Sequence, residues 1–165
     1  PEENCQHSEF LLENLDNWLK VRKPDLIHVN CGLHDAMIQA DGTCRFTLEQ
    51  YEQNVDAILK QLTADHPNAT IVFALTTPVN EANQVTSETY GRLVRRNTDV
   101  DAYNQIAAAS AAKHGARIND LNTFVKQSRL DSKLRDDGVH FLPEGSKVLG
   151  EHVADVIRQF LKSHS

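Results

Sequence analysis

The chain has 165 residues, 40% of them hydrophobic and 24% charged, which suits one soluble domain with its own hydrophobic core. A formal charge of -6, with Lys and Arg scattered along the chain, offers no basic footprint for nucleic acid or an anionic membrane, and no apolar run nears the ~20 residues of a bilayer-spanning helix. Cys5, Cys31 and Cys44 follow no metal-ligand or disulfide spacing and favour a reducing, cytoplasmic setting, although secretion stays open if a leader lies upstream of the acidic start Pro1-Glu2-Glu3-Asn4.

Taken in order, the chain alternates helices and strands. Ser8 is the expected N-cap of a helix whose apolar residues Phe10, Leu11, Leu12, Leu15, Trp18 and Leu19 recur at helical spacing and end before Lys23-Pro24. Asp25 to Asn30 is short and nearly continuous in apolar residues, as a strand covered on both faces would be. A polar loop from Cys31 to Phe46 precedes Thr47-Leu48-Glu49-Gln50, a capping-box pattern that opens a helix with the stripe Leu48, Tyr51, Val55, Ile58, Leu59 and Leu62. Thr70 to Thr76 is the clearest strand. The long polar stretch from Thr77 to Thr98 reads as a substrate-facing flap. Val100 to Lys113 is an alanine-rich helix closed by His114-Gly115, Ala116 to Asn119 a short strand, and Asp120 to Arg135 a polar segment. A last helix opens near Pro143 and is expected to bury Val148, Leu149, Val153, Val156, Ile157, Phe160 and Leu161.

Strands separated by helices imply right-handed crossovers and a parallel, flavodoxin-like sheet between helical layers, a three-layer α/β/α sandwich. In such sheets function gathers at the carboxyl ends of the strands, so the loops after Asn30, Thr76 and Asn119 should share one rim. Near the end of the chain, Asp137 and His140 stand on a short turn just before the last helix. A carboxylate and an imidazole so spaced can hydrogen-bond each other and leave the second ring nitrogen free for chemistry.

Directly after the first strand sits Gly32-Leu33-His34-Asp35, and before the last helix Asp137-Gly138-Val139-His140. In this order, about a hundred residues apart, the two stretches resemble the third (Gly-x-Asn-Asp) and fifth (Asp-x-x-His) blocks of the SGNH or GDSL-type hydrolases, with His34 standing where that family has Asn. The resemblance implies ester hydrolysis by a serine nucleophile, with His140 as general base, Asp137 orienting its ring, and His34 with Gly32 serving the oxyanion hole. A neutral imidazole N–H can donate to a developing oxyanion, so the substitution is physically tolerable. Asp35 then reads as a structural carboxylate that bonds the backbone of neighbouring loops. The resemblance also implies a small-molecule or carbohydrate ester substrate, acetyl or short acyl, and no metal or organic cofactor.

The family's first block, a Gly-Asp-Ser closing the first strand, and its glycine-bearing second block are absent from residues 1–165: Gly32 is the first glycine, and no strand pattern precedes Ser8. The chain therefore reads as a single partial domain, residues 1–165, lacking the family's first strand and the nucleophile, and inactive alone. Other readings stand beside these. His34 could be a loop histidine paired with a neighbouring carboxylate, and Ser146 a helix-surface residue. Arg92, Arg95 and Arg96 read as a solvated cluster rather than contacts for an anionic or sugar substrate. Thr76, Thr77 and Pro78 shape the pocket without reacting. A metal site built from Cys5, His7, His28, Cys31, His34 and Cys44 is disfavoured by irregular spacing and by His28 lying within a strand run. Alternatives for the whole chain are a non-catalytic binding module of the same fold and an unrelated flavodoxin-like domain.

Overall fold

The structure, a computed structural model, describes residues 4–83, 86–87, 91–92 and 94–162. Helix α1 (Ser8–Leu19) leads into strand β1 (Leu26–Val29), then α2 (Leu48–Asp65) and β2 (Thr70–Ala74). A 3-10 turn (Glu81–Asn83) and a small antiparallel pair, β3 (Thr86–Ser87) with β4 (Gly91–Arg92), precede α3 (Asn97–Lys113) and β5 (Arg117–Asn119). Then come α4 (Leu121–Gln127), a 3-10 turn (Leu130–Lys133) and α5 (Pro143–Lys162).

β1, β2 and β5 form a parallel sheet in that order, with Ile27 beside Ile71, Val29 beside Phe73 and Phe73 beside Ile118. Central β2 is buried along its whole length, as its unbroken apolar run requires. Because side chains alternate across a strand, Val29, Ile71, Phe73 and Leu75 point into one face. There they meet Leu11 and Leu15 of α1, the α2 stripe of Tyr51, Val55, Ile58, Leu59 and Leu62, and Tyr103, Ala107 and Ala111 of α3. Burying each large aliphatic chain here contributes about 1.5–3 kcal/mol. The capping box that starts α2 forms as its sequence dictates: the Thr47 hydroxyl accepts from Gln50 N, and Gln50 Oε1 accepts from Thr47 N.

Helix α5 lies on the other face, where His152 bonds Asn119 of β5, stacks on Phe124 of α4 at 3.8 Å, and Arg117 sits 5.9 Å over the Phe160 ring. Its seat differs from the expectation that its whole apolar stripe is buried. Only Gly145 is buried; Leu149, Val153, Val156, Ile157 and Phe160 are half-buried, and Val148 and Leu161 are 40% and 39% exposed. The reason lies in the sheet, which is three strands wide among the described residues, with β1 at its edge, so a 20-residue helix overhangs the surface beneath it. The segment after Asp120 also departs from a plain polar stretch: the Asp120 side chain accepts from Thr123 N and starts α4. The flap expected from Thr77 to Thr98 includes residues outside the described set.

This packing predicts that Leu59→Ala, at a site with 0% exposure, costs about 2–5 kcal/mol in urea unfolding, whereas Val148→Ala changes stability by no more than about 1 kcal/mol. Equal losses for the two would contradict the assigned core.

Candidate functional site at the carboxyl rim

The three parallel strands end together, and side-chain amides stitch their ends. Asn30 Nδ2 donates to Ala74 O at 2.6 Å, and Leu75 N donates to Asn119 O at 2.9 Å. Thr76 is held on every polar atom. Its N–H donates to Asn104 Oδ1 at 2.8 Å, its carbonyl accepts from Asn104 Nδ2 at 2.9 Å and Asn122 Nδ2 at 3.0 Å, and its hydroxyl donates to Cys31 O at 3.3 Å. The Tyr51 hydroxyl reaches the same Cys31 carbonyl at 3.0 Å.

The loop after β1 passes over this platform. Gly32 has φ +133°, and a Cβ there would lie 2.8 Å from Thr76 Oγ1 and 3.1 Å from the Tyr51 hydroxyl. Both the left-handed backbone and the close approach demand glycine. Ala36 N closes a turn onto Gly32 O at 2.8 Å, and Arg95 Nε donates to Leu33 O at 2.6 Å. His34 stands half-buried on this turn, while Asp35, with 0% exposure, takes both the N–H and the hydroxyl of Ser8.

Facing it is the turn before α5. Leu134 and Phe141 form a bridge, Arg135 N donates to His140 O at 2.6 Å, and Gly138 makes the bend at φ +74°. Asp137 Oδ1 accepts from Val139 N and His140 N, both at 2.9 Å, and its Oδ2 lies 2.9 Å from His140 Nδ1. A carboxylate acceptor assigns the ring proton to Nδ1, leaving Nε2 as the acceptor. The His140 side chain is 74% exposed. Asn80 N donates to Gly138 O at 2.8 Å and ties this turn to the loop after β2.

Electrostatics separates the two histidines and the two aspartates. Burial pushes the Asp137 carboxyl up, but the N–H groups of His140 and Val139 and the His140 ring outweigh it and hold it below the usual carboxylate value. Asp35 moves the opposite way, raised by burial against the opposing bonds from Ser8. His34 is pulled down to about 4 by burial, then by Arg95, Arg45, His7 and His140, so it is a neutral imidazole with one N–H at neutral pH. Its charged neighbours are cationic, and among the described residues no carboxylate pairs with its ring.

Of the expected site residues, the structure joins Asp137 to His140 and sets Gly32 and His34 on one turn above Thr76. It corrects two expectations. The N-cap of α1 is His7, whose Nδ1 accepts from Phe10 N at 3.2 Å; Ser8 is the first helical residue and is spent on Asp35. Arg95 is 5% exposed rather than solvated, and buried against Leu33 O; Arg96 is exposed, 3.9 Å from Asp99, and the Arg92 side chain lies outside the described residues. Ser146 is exposed and its hydroxyl turns to Phe141 O at 3.4 Å. His28 is engaged by Asn119 at 3.2 Å, and among the described residues no three His, Cys, Asp or Glu side chains are placed to hold a metal.

Asn104 and Asn122 escaped the sequence reading. Only Asn104 left a signal, a polar residue at a buried position of the α3 stripe between Val100 and Ala107. A cavity of about 620 Å³ lies elsewhere, lined by Leu15, Lys20, Gln61 and His66 and by none of the site residues. Among the described residues no helix is long and apolar enough to cross a membrane.

The family model of GDSL-like lipases and acylhydrolases matches residues 7–148, a span that contains both turns of the site. Among curated relatives, GDSL esterase/lipase At5g62930 of Arabidopsis thaliana is 26% identical over 166 residues, covering 94% of this chain and 69% of that protein. GDSL esterase/lipase WDL1 of Oryza sativa subsp. japonica is 23% identical over 142 residues, covering 83% of this chain and 55% of its own length. The fold is that of the lipase/acylhydrolase from Enterococcus faecalis, with TM-score 0.74 at 19% identity over 93% of this chain and 71% of that one. It is also that of the acetyl xylan esterase AlAXEase, with TM-score 0.70 at 14% identity over 94% and 78% of the two chains. With a family match across most of its length and the two turns at the carboxyl rim, the chain belongs to the GDSL-like lipase/acylhydrolase family.

Proposed function

We propose that this chain supplies the base and an oxyanion donor for hydrolysis of carboxylic esters by a Ser-His-Asp mechanism. The observation that carries the proposal is the Asp137–His140 pair: a carboxylate pinned by two backbone N–H groups, bonded to Nδ1 of a ring that stands 74% exposed. The attacking hydroxyl comes from outside residues 1–165. Among the described residues no serine hydroxyl bonds the His140 ring, and the curated relatives are longer than this chain's match to them, by the share given above.

In this mechanism His140 Nε2 takes the proton of the serine hydroxyl as its oxygen attacks the ester carbonyl. Asp137 holds the tautomer and stabilises the imidazolium that forms. The tetrahedral oxyanion accepts the N–H of neutral His34, together with backbone donors. Collapse expels the alcohol, which takes its proton from His140, and water then releases the acid by the same steps in reverse. Gly32 keeps the floor of the hole open, since any side chain there would meet Thr76. Acetyl or short acyl esters, including those on carbohydrate, fit an open site, and the fold shared with an acetyl xylan esterase supports that class.

In the full-length protein, His140→Ala is expected to lower kcat on p-nitrophenyl acetate by about 10,000-fold or more, and His34→Ala by about 100- to 1000-fold. Unchanged turnover in His140→Ala would overturn the assignment of His140 as the base. A second expectation concerns pH. Since folding lowers the His34 pKa from 6.5 to about 4, the unfolded chain binds more protons between those values. Stability should therefore fall as pH drops through that window, and His34→Gln should flatten the fall in urea titrations. A His34 ring that titrates near 6.5 by NMR would overturn this pH dependence.

A further inference from the structure

We propose that Asp35 is a positioning residue: its buried carboxylate, gripping the backbone N–H and the hydroxyl of Ser8, fixes the turn that carries His34. The inference rests on the reading of His34 as oxyanion donor and adds what holds that donor in place.

The clasp joins residues 27 apart in sequence, both with 0% exposure. Ser8 N lies 3.0 and 3.1 Å from the two carboxylate oxygens, Ser8 Oγ donates to Oδ1 at 2.5 Å, and Asn54 Nδ2 of α2 donates to Ser8 Oγ at 2.9 Å. Asp35 thus acts as an anion at the first turn of α1, where unpaired N–H groups and the helix dipole favour negative charge. Helix α1 is in turn fixed to the core by Leu11 and Leu15, so the clasp ties the turn to a rigid body.

The rest of the turn is gripped as well. Gly32 is wedged against Thr76 and Tyr51, and Leu33 O is held by Arg95. Gly32, Leu33 and Asp35 are each bound to a different element, while the His34 ring makes no hydrogen bond among the described residues. A turn so heavily constrained around one uncommitted polar ring is built to present that ring. Burial works against the Asp35 charge, and the bonds from Ser8 oppose that penalty.

The test compares Asp35→Asn, Ser8→Ala and Ser8→Thr in the full-length protein, with His34→Ala alongside. Asp35→Asn and Ser8→Ala should lower kcat about 10- to 100-fold, the cost of a misplaced catalytic group, with KM and the His140-governed midpoint of the pH profile unchanged. Ser8→Thr, which keeps both donors, should restore the rate. The His34 ring resonances should shift in Asp35→Asn, while those of His140, on its separate turn, stay put. If His34→Ala is slow but Asp35→Asn and Ser8→Ala both turn over at the wild-type rate, the clasp is overturned and the donor reading survives. If His34→Ala costs nothing, the donor reading falls, and the ring spectrum alone decides the clasp: shifted His34 resonances uphold it and unshifted ones overturn it. Should Asp35→Asn fail to fold, Ser8→Ala, which keeps the N–H bonds to the carboxylate, carries the same readings.

Discussion

The site hangs on the backbone of Thr76. In a parallel sheet the strand ends leave N–H and C=O groups without ladder partners, and such groups cost free energy unless something answers them. Here Asn104 answers both backbone groups of Thr76 like a displaced strand, and Asn122 adds a second donor to the carbonyl. Because those amides come from α3 and α4, the rim of the sheet and two helices share one set of hydrogen bonds. The hydroxyl of the same residue then meets Cys31 O, and Gly32 can cross only because it has no side chain.

On that platform the chain builds two turns with opposite electrical habits. Asp137 is accessible and answered by two N–H groups, so its charge is comfortable and can steady an imidazolium next to it. Asp35 is sealed from water and its charge is held by one residue of another helix. The histidines mirror this: His140 is exposed and paired with a carboxylate, whereas His34 sits half-buried near Arg95 and Arg45 and stays neutral. In the proposed mechanism the first would receive a proton and the second would keep one. Arg95 contributes to both halves, bonding the carbonyl beside His34 while its charge acts on His34 and is itself favoured by Asp137.

The overhang of α5 follows from the same architecture. An amphipathic helix must lay its stripe on something, and three described strands of 4, 5 and 3 residues offer little surface to a helix of 20. Its first turn is nevertheless firmly placed, since Gly145 packs where a Cβ would come within 3.0 Å of Lys133 Cβ. That end carries the His140 turn, so the turn is anchored even where the helix beyond it is only half covered.

Periodicity determined α1, α2, α3 and α5 and strands β1, β2 and β5, because apolar spacing is a local property, as are the Thr47 capping box and the Asp137–His140 pairing three residues apart. The half-buried α5 stripe was not legible, since periodicity marks which face turns inward and not how much sheet lies beneath it. Nor were the N-cap of α1, where Ser8 and His7 compete and a carboxylate 27 residues away decides, or the burial of Arg95, which an arginine-rich stretch disguises as solvated surface. The neutrality of His34 belongs to the same class. Whether the ring takes a second proton depends on burial and on charges brought from Arg95, Arg45, His7 and His140, and only the folded chain brings those together.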